Sequence, residues 1–140
     1  MAYWLVKSEP EVYPFEQLVS ERQTFWSGVR NAQARNNLLA MRTGERVLYY
    51  HSNEGREIVG IARVVREAYP DPTSPDDPRW VVVDLAPEAR LTRAVGLSAC
   101  KSDALLKETA LVRQGRLSVM PVSDAQFERV LALAGGERPL

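Results

Sequence analysis

Three short clusters combine polar and aromatic residues that core packing does not require. They are Lys7–Pro10, Trp26–Asn31 and Tyr49–Asn53. Each cluster stands at a predicted strand end or helix start, where side chains and free backbone N–H groups converge on a ligand. A tryptophan offers a flat face for stacking, and serine, asparagine and glutamate side chains pair with the edge of an unstacked base. This chemistry favours recognition of a nucleobase over turnover.

In the leading interpretation, a base stacks on Trp26 and its polar edge is read by Ser8, Glu9 and Asn31. Arg30 and Arg35 lie about one helical turn apart, a spacing that suits contacts to phosphates. Two simpler interpretations stay open, because Trp26 also suits a hydrophobic core and Asn31 also suits a plain helix N-cap.

The only histidine, His51, does not by itself indicate catalysis or metal binding. A metal site needs several ligands at a recognisable spacing, and the chain has one His and one Cys. No nucleophile elbow, phosphate loop or dinucleotide fingerprint is present. The sequence therefore predicts no metal and no cofactor. The alternative function is an enzyme acting on RNA or a nucleotide, with Lys7, Glu9 and His51 as acid–base groups.

The charge distribution argues against a strong, indiscriminate nucleic-acid binder. The 18 basic and 18 acidic residues cancel, whereas such binders gain most affinity by neutralising phosphates. Residues 22–46 nevertheless carry five Arg and one Glu, and residues 90–118 carry six basic and two acidic residues. Residues 67–88 carry six acids and one Arg. Basic faces are therefore compatible with the neutral total, although a mixed solvated surface is the simpler interpretation.

Length and composition predict a single domain over residues 1–140. A monomer is the expected oligomeric state. No stretch of about 18 apolar residues occurs, and the N-terminus lacks the pattern of a signal peptide. The lone Cys100 forms no internal disulfide, which suits a reducing cytoplasm. We therefore expect a cytoplasmic protein.

The hydrophobic pattern predicts an α+β domain with a mostly antiparallel sheet. Five strands are expected, over residues 3–7, 46–51, 58–68, 80–86 and 117–122. In so short a chain, closure into a small barrel is the expected way to remove the sheet edges. A loop over Tyr69–Pro78 and short helices within residues 97–109 complete the pattern.

Local signals predict where three other helices begin. Pro14 is expected at the first position of a helix that ends near Glu21. Asn31 is expected to cap a helix that turns Ala34, Leu38, Leu39 and Met41 inward. The segment Ser123–Gln126 has a capping-box pattern, and Gly135 is the expected end of the helix that follows.

Several sequence blocks resemble the EVE domain family, and the resemblance covers nearly the whole chain. The matching blocks are Tyr3–Pro10, Trp26–Asn31, Ala34–Asn36, Tyr50–Asn53, Ile58–Ala62, Tyr69–Pro72 and Arg116–Pro121. The resemblance implies a PUA-like barrel related to the YTH readers of methylated adenine, and recognition of a modified base, with modified cytosine in DNA favoured. Modified RNA is the alternative ligand.

The resemblance also implies an aromatic cage built from Lys7-Ser8, Trp26-Ser27 and Trp80, with Tyr69 and the loop 70–78 as a lid. For Trp80, packing under the proline-rich loop is an equally open interpretation. The complete set of expected base-binding residues is Lys7, Ser8, Glu9, Trp26, Ser27, Val29, Asn31, Tyr50, His51, Ser52, Asn53, Tyr69 and Trp80. The expected phosphate-binding residues are Arg30, Arg35, Asn36 and Arg116.

Overall fold

A computed structural model describes residues 1–140, and its strands all belong to one sheet. The strands are β1 (Tyr3–Ser8), β2 (Thr24–Phe25), β3 (Arg46–His51), β4 (Glu57–Pro70), β5 (Val81–Gly96), β6 (Val119–Val122) and β7 (Glu137–Arg138). The helices are α1 (Phe15–Glu21), α2 (Ala32–Ala40), α3 (Leu97–Ser102), α4 (Ala110–Arg113) and α5 (Asp124–Ala134), with a 3₁₀ turn at Leu106–Glu108.

The sheet has the order β2-β5-β4-β3-β1-β6, and β7 adds to β5. Strands β1 and β3 run parallel, whereas every other pair is antiparallel. The predicted α+β class and mostly antiparallel sheet are therefore confirmed. The parallel pair places the C-terminal ends of β1 and β3 side by side, with Lys7 opposite Tyr50 and Ser8 opposite His51.

The sheet is open, so the expectation of a closed barrel is wrong. The terminal strands β2 and β6 do not pair with each other. β2 has only two residues, too few to form a ladder with a second neighbour. Helix α2 instead packs against β4, β5 and β6 and covers the gap between the two edges.

Strand β5 is much longer than the predicted segment 80–86, since it continues to Gly96. Pro87, which cannot donate a hydrogen bond to a ladder, directly follows the predicted segment. In the structure Pro87 lies opposite Ala62, where the β4–β5 register shifts. This irregularity accommodates the missing N–H, and Ala89, Leu91 and Val95 continue the buried face.

The capping signals are confirmed at two helices. The Asn31 side chain accepts a hydrogen bond from the Ala34 N–H, and Ser123 and Gln126 form a complete capping box. Pro14 is the N-cap of α1 rather than its first residue, a difference of one position. The predicted inward orientation of Leu39 is wrong, because its side chain is 45% exposed while Ala34, Leu38 and Met41 are buried. At 100° per residue, Leu39 points away from the face that Leu38 shares with the sheet.

A single hydrophobic cluster fills the space between the sheet and helices α1, α2 and α5. No helix is long and apolar enough to cross a membrane.

Candidate functional site

A cavity of about 350 Å³ opens beside Trp26, between the end of β1 and the segment that leaves β2. Its lining residues are Lys7, Ser8, Val12, Tyr13, Thr24, Phe25, Trp26, Ser27, Gly28, Val29 and Ser118. Lys7 is the only lining residue that carries a charge. This volume lies within the range of small-molecule sites, about 300–1,000 Å³. We refer to this space as the aromatic cavity.

Trp26 is held at the edge of the sheet by backbone and ring contacts. Its N–H donates to the Val83 carbonyl at 2.8 Å, directly after β2 has paired with β5. Behind the indole, the Tyr49 ring lies edge-on at 5.5 Å, and Phe15 lies 5.2 Å from Tyr49. Phe15 in turn packs on Gly60, where an added Cβ would lie 2.5 Å from the ring. The stack fixes the position of the indole from the core side.

The indole is buried and yet lines the aromatic cavity. Trp26 is 7% exposed, and its Nε1–H donates to no group of the protein. No fully buried side-chain N or O atom lacks a hydrogen-bond partner, so this N–H must reach accessible space. Tyr13 lies edge-on to Trp26, with 6.3 Å between ring centroids, and forms a second aromatic wall.

The segment after Trp26 provides unpaired backbone donors. The N–H groups of Ser27, Gly28 and Val29 make no hydrogen bond within the protein. Gly28 has a φ of +83°, which turns the chain away from the sheet toward α2 and is favourable only for glycine. Val29 is 5% exposed, so part of this donor segment lies deep in the structure. Unpaired N–H groups beside a cavity are suited to a ligand with acceptor atoms.

The turn Glu9–Tyr13 forms the opposite rim and is rigidly held. The Tyr13 carbonyl accepts hydrogen bonds from Ser8 Oγ at 2.8 Å and from the Tyr49 hydroxyl at 2.6 Å. The Tyr13 hydroxyl donates to Glu21, and burial raises the pKa of Tyr13 to about 12. Tyr13 is therefore a neutral wall at physiological pH.

A second cavity, of about 430 Å³, lies on the other side of the β1 end. We refer to it as the basic cavity. Its lining residues are Lys7, Ser8, Glu9, Tyr50, Ser52, Asn53, Arg56, Leu97, Leu111, Gly115, Arg116 and Ser118. Three of these residues are basic and one is acidic.

Lys7 stands between the two cavities. Its Nζ donates to the Gly115 carbonyl at 2.9 Å and lies 5.9 Å from the centre of the Tyr50 ring. The side chain is half-buried, and burial lowers the pKa of Lys7 from its ordinary value. An ammonium group has three donors, so two of them stay free for a ligand on either side.

The structure thus separates the expected base-binding residues into three sets. The aromatic cavity brings together Lys7, Ser8, Trp26, Ser27 and Val29. The basic cavity holds Glu9, Tyr50, Ser52 and Asn53, together with the expected phosphate contact Arg116. Asn31, His51, Tyr69 and Trp80 line neither cavity.

His51 is occupied by a structural contact. Its Nε2 accepts the Phe15 N–H at 3.1 Å, which satisfies a free donor at the start of α1. Burial lowers the pKa of His51, and an accepting Nε2 requires the neutral ring. The three acid–base groups of the enzyme alternative are therefore not gathered in one cavity, since Lys7 and Glu9 line the basic cavity and His51 does not.

Trp80 lies on the proline-rich loop, where arginines surround its ring. The guanidinium carbons of Arg30, Arg35 and Arg79 lie 5.4, 5.9 and 5.5 Å from its centroid. Arg30 also forms an ion pair with the buried Asp71 at 3.2 Å and donates to Ser74. These contacts tie the loop to the segment before α2, so Arg30 acts here as a structural clamp.

The other expected contacts also lie away from both cavities. The Asn31 side chain caps α2, and Arg35 donates to the exposed Asn36 at 3.4 Å. The Tyr69 hydroxyl donates to Asp84, and the Arg66 guanidinium stacks on the Tyr69 ring at 3.6 Å. Tyr69 is therefore a packing residue of β4 in this structure.

Several residues that line the two cavities were not predicted from the sequence. Val12, Tyr13, Phe25 and Ser118 line the aromatic cavity, and Arg56 lines the basic one. The sequence contained a weak signal for Ser118, which belongs to the block Arg116–Pro121. Tyr13 and Arg56 carry no such signal, because only the pairing of β1 with β3 brings their loops to one place.

The structure is that of an α+β domain with two adjoining cavities at the end of β1. The sequence model of the EVE domain matches residues 2–133, and the chain belongs to the EVE domain family. Thymocyte nuclear protein 1 of Homo sapiens is 34% identical over 165 residues, which cover 94% of this chain and 73% of that protein. Thymocyte nuclear protein 1 of Gallus gallus is 37% identical over 164 residues, which cover 94% of this chain and 68% of that protein.

Solved structures of the family share the fold closely. The crystal structure of protein Atu2648 from Agrobacterium tumefaciens has a TM-score of 0.94 at 36% identity, and covers 100% of this chain and 99% of that chain. Human THYN1 protein, solved in complex with DNA that contains 5-methylcytosine, has a TM-score of 0.90 at 35% identity. That comparison covers 96% of this chain and 98% of the human one. The fold is therefore the PUA-like fold of this family, with an open sheet.

Proposed function

We propose that this protein is a non-catalytic nucleic-acid-binding module that holds a flipped, modified base in the aromatic cavity, with modified cytosine in DNA as the favoured ligand. The observation that carries the proposal is the lining of this cavity. The residues that line this space of about 350 Å³ include one buried indole, one tyrosine ring beside it and the segment that carries four unpaired N–H groups. A base offers a flat apolar face, which matches the aromatic rings, and a polar edge, which matches the N–H donors.

The donor pattern favours a base rich in acceptors. The free groups are the indole N–H of Trp26 and the backbone N–H groups of Ser27, Gly28 and Val29. Cytosine has acceptors at O2 and N3 and a donor only at its exocyclic amine. Of the groups that line the cavity, Ser118 and Ser8 hydroxyls and backbone carbonyls are available to accept from that amine.

The apolar lining favours a methylated base. Tyr13, Phe25, Trp26 and Val29 supply apolar surface to this space, while Val12 stands at its outer rim with 69% exposure. A methyl group that fills such a pocket contributes roughly 1–3 kcal/mol to discrimination. The similarity to the human THYN1 protein, solved with DNA that contains 5-methylcytosine, supports the same assignment.

The positions of the acid–base candidates support the non-catalytic assignment. His51 Nε2 accepts the Phe15 N–H at the start of α1, whereas Lys7 and Glu9 line the adjoining basic cavity, where Lys7 Nζ donates to the Gly115 carbonyl. General acid–base catalysis needs such groups within hydrogen-bond reach of one substrate atom. We therefore propose recognition without a chemical step.

The test is a binding panel of matched oligonucleotides, DNA and RNA, single- and double-stranded, with and without 5-methylcytosine. The variant Ser118→Phe fills the aromatic cavity, and Ser20→Phe is the matched control on the exposed face of α1. We expect wild type and Ser20→Phe to prefer the methylated DNA, and Ser118→Phe to lose that preference while its melting temperature shows that it is folded. Equal binding of all oligonucleotides by wild type refutes base recognition. Preference for methylated RNA identifies the RNA alternative, and time-dependent product formation refutes the non-catalytic assignment.

A further inference from the structure

We propose that the basic cavity is a phosphodiester subsite, which binds the backbone phosphate next to the nucleotide whose base occupies the aromatic cavity. The proposal rests on the base-binding function proposed above and adds the residues that hold the backbone. It assigns Arg56 and Arg116 as the main phosphate contacts and Lys7 as the group shared by base and backbone.

The two cavities adjoin in a way that matches one nucleotide step. Lys7, Ser8 and Ser118 line both of them. In the proposed arrangement the base lies against Trp26 and its sugar lies at this shared wall. The phosphate next to that sugar then lies in the basic cavity.

The basic cavity carries unpaired positive charge. Arg56 and Arg116 are exposed, and neither forms an ion pair with an acidic side chain. By contrast, Arg30 is held by Asp71 and Arg79 by Asp77. The one acid of the lining, Glu9, is an exposed side chain, so the balance of the cavity is positive. Guanidinium groups bind phosphate oxygens through two parallel hydrogen bonds.

The backbone around both arginines is anchored, and neither side chain pairs with an acidic group. Arg56 Nε makes one long hydrogen bond, to the Asn53 carbonyl at 3.4 Å, which leaves the other guanidinium donors for a ligand. The Arg56 carbonyl accepts the Leu97 N–H at 2.8 Å, and the neighbouring Gly115 carbonyl accepts from Lys7 Nζ at 2.9 Å. The loop between β3 and β4 is further tied to the rim turn by the Asn53 side chain, which donates to Glu11 at 2.7 Å. Less ordering is then required when the two side chains close on a phosphate.

The test compares Arg56→Gln, Arg116→Gln and the double variant with Arg138→Gln, an exposed arginine of β7 that lines neither cavity. Affinities for methylated and unmethylated duplexes are measured over a range of salt concentrations. We expect each single variant to bind about three- to tenfold more weakly at physiological salt, equally for both duplexes. We expect the slope of log affinity against log salt to fall by about 1 for each lost phosphate contact.

The possible outcomes distinguish the phosphodiester subsite from the base-binding function on which it rests. A double variant with the affinity and salt slope of Arg138→Gln refutes the subsite, while the preference for methylated DNA in the same data leaves the base-binding function standing. Loss of the methyl preference in the double variant assigns the arginines to the base and also refutes the subsite. If wild type binds no oligonucleotide, both proposals are wrong.

A second inference comes from the rim of the aromatic cavity. Away from the chain ends, the large hydrophobic residues that are exposed are Val12, Phe25, Leu39 and Leu105. Two of the four, Val12 at 69% and Phe25 at 42% exposure, line this cavity. The Val12 N–H donates to the Glu9 carbonyl, and the next carbonyl, of Tyr13, is fixed by two hydrogen bonds. Val12 therefore projects outward from a rigid turn.

From this geometry we infer that Val12 is a wedge that enters the gap left in a duplex when the base flips into the cavity. Apolar side chains that insert between base steps are a known device of DNA-bending proteins. A wedge contributes to affinity only where it inserts between stacked base pairs. The contribution of Val12 is therefore expected for a duplex and not for a single strand.

Val12→Ser tests the wedge against Leu39→Ser, an exposed leucine of α2 outside both cavities. We expect Val12→Ser to weaken binding of a methylated duplex about tenfold, as loss of a buried valine contact implies, and to leave binding of the same methylated single strand unchanged. Leu39→Ser is expected to change neither. Equal weakening on both ligands, or no weakening on the duplex, refutes the wedge; a wild type that binds neither ligand refutes the proposed function itself.

Discussion

Trp26→Phe is the substitution that separates the roles of the indole most sharply. It keeps an aromatic face toward the cavity but removes the unpaired Nε1–H and part of the wall. One hydrogen bond to a ligand is worth about 1 kcal/mol. Stacking on a residue of this kind contributes about 1–3 kcal/mol per base, of which phenylalanine retains a large part. We therefore expect methylated DNA to bind about 5- to 30-fold more weakly.

Phenylalanine is preferable to alanine at this position because Trp26 also supports the fold. Trp26 is 7% exposed and contacts the Tyr49 ring at 5.5 Å. Truncation of a buried tryptophan to alanine destabilises a protein by about 3–5 kcal/mol. A domain of this size has about 5–15 kcal/mol of stability in total. Loss of binding by Trp26→Ala would therefore mix unfolding with loss of the site.

The assay is fluorescence anisotropy of a labelled duplex with one 5-methylcytosine, together with the unmodified duplex and thermal unfolding of each variant. The matched control is Trp80→Phe, since Trp80 is a half-buried tryptophan outside both cavities. We expect Trp80→Phe to leave the ratio of the two affinities unchanged. A folded Trp26→Phe with wild-type affinity, or a larger loss of methyl preference in Trp80→Phe, refutes the assignment of the cavity.

Three further predictions concern stability. The pKa of His51 lies below the ordinary 6.5, so the unfolded chain binds the proton more readily; stability is full above about pH 6.5 and falls as the pH drops toward the folded pKa. His51→Gln should therefore remove the contribution of His51 to the pH dependence below about pH 6.5 in urea unfolding, at most about 1.4 kcal/mol per pH unit, and an unchanged profile contradicts this assignment. Gly60→Ala should lower the free energy of unfolding by about 1–3 kcal/mol, because the added Cβ would lie 2.5 Å from the Phe15 ring. The control Gly115→Ala, whose added Cβ has no atom within 4 Å, should change the free energy of unfolding by less than about 0.5 kcal/mol. Asn31→Ala should cost about 1 kcal/mol in thermal unfolding and Asn31→Asp much less, since aspartate also accepts the Ala34 N–H; equal losses would mean that the cap contributes little.

Local features of this protein were predictable because their determinants lie within a few residues of each other. The Asn31 cap and the Ser123–Gln126 capping box depend on hydrogen bonds that span three residues. The ends of β1 and β3 likewise follow from short apolar runs that stop at polar residues. The sequence alone therefore predicts that the three polar clusters lie at strand ends and helix starts.

The arrangement of these clusters depends on contacts between distant parts of the chain. The parallel β1–β3 pair brings Ser8 opposite His51, but the ring of His51 turns toward α1 and that of Tyr50 toward the basic cavity. Since side chains alternate along a strand, neighbours in sequence face different surroundings. This alternation divides Tyr50 and His51, which the sequence had placed in one site.

The sequence by itself determined the family, the class of fold and the identity of Lys7, Ser8, Trp26 and Ser27 as neighbours of one cavity. Only the tertiary structure decided that Tyr13, rather than Trp80, is the second aromatic wall, and that α2 covers an open sheet. The physical reason is the separation along the chain of the residues whose contacts determine each feature. Caps and strand ends are set by hydrogen bonds between near neighbours, whereas a cavity is the space left by segments that approach each other only when the whole sheet has formed.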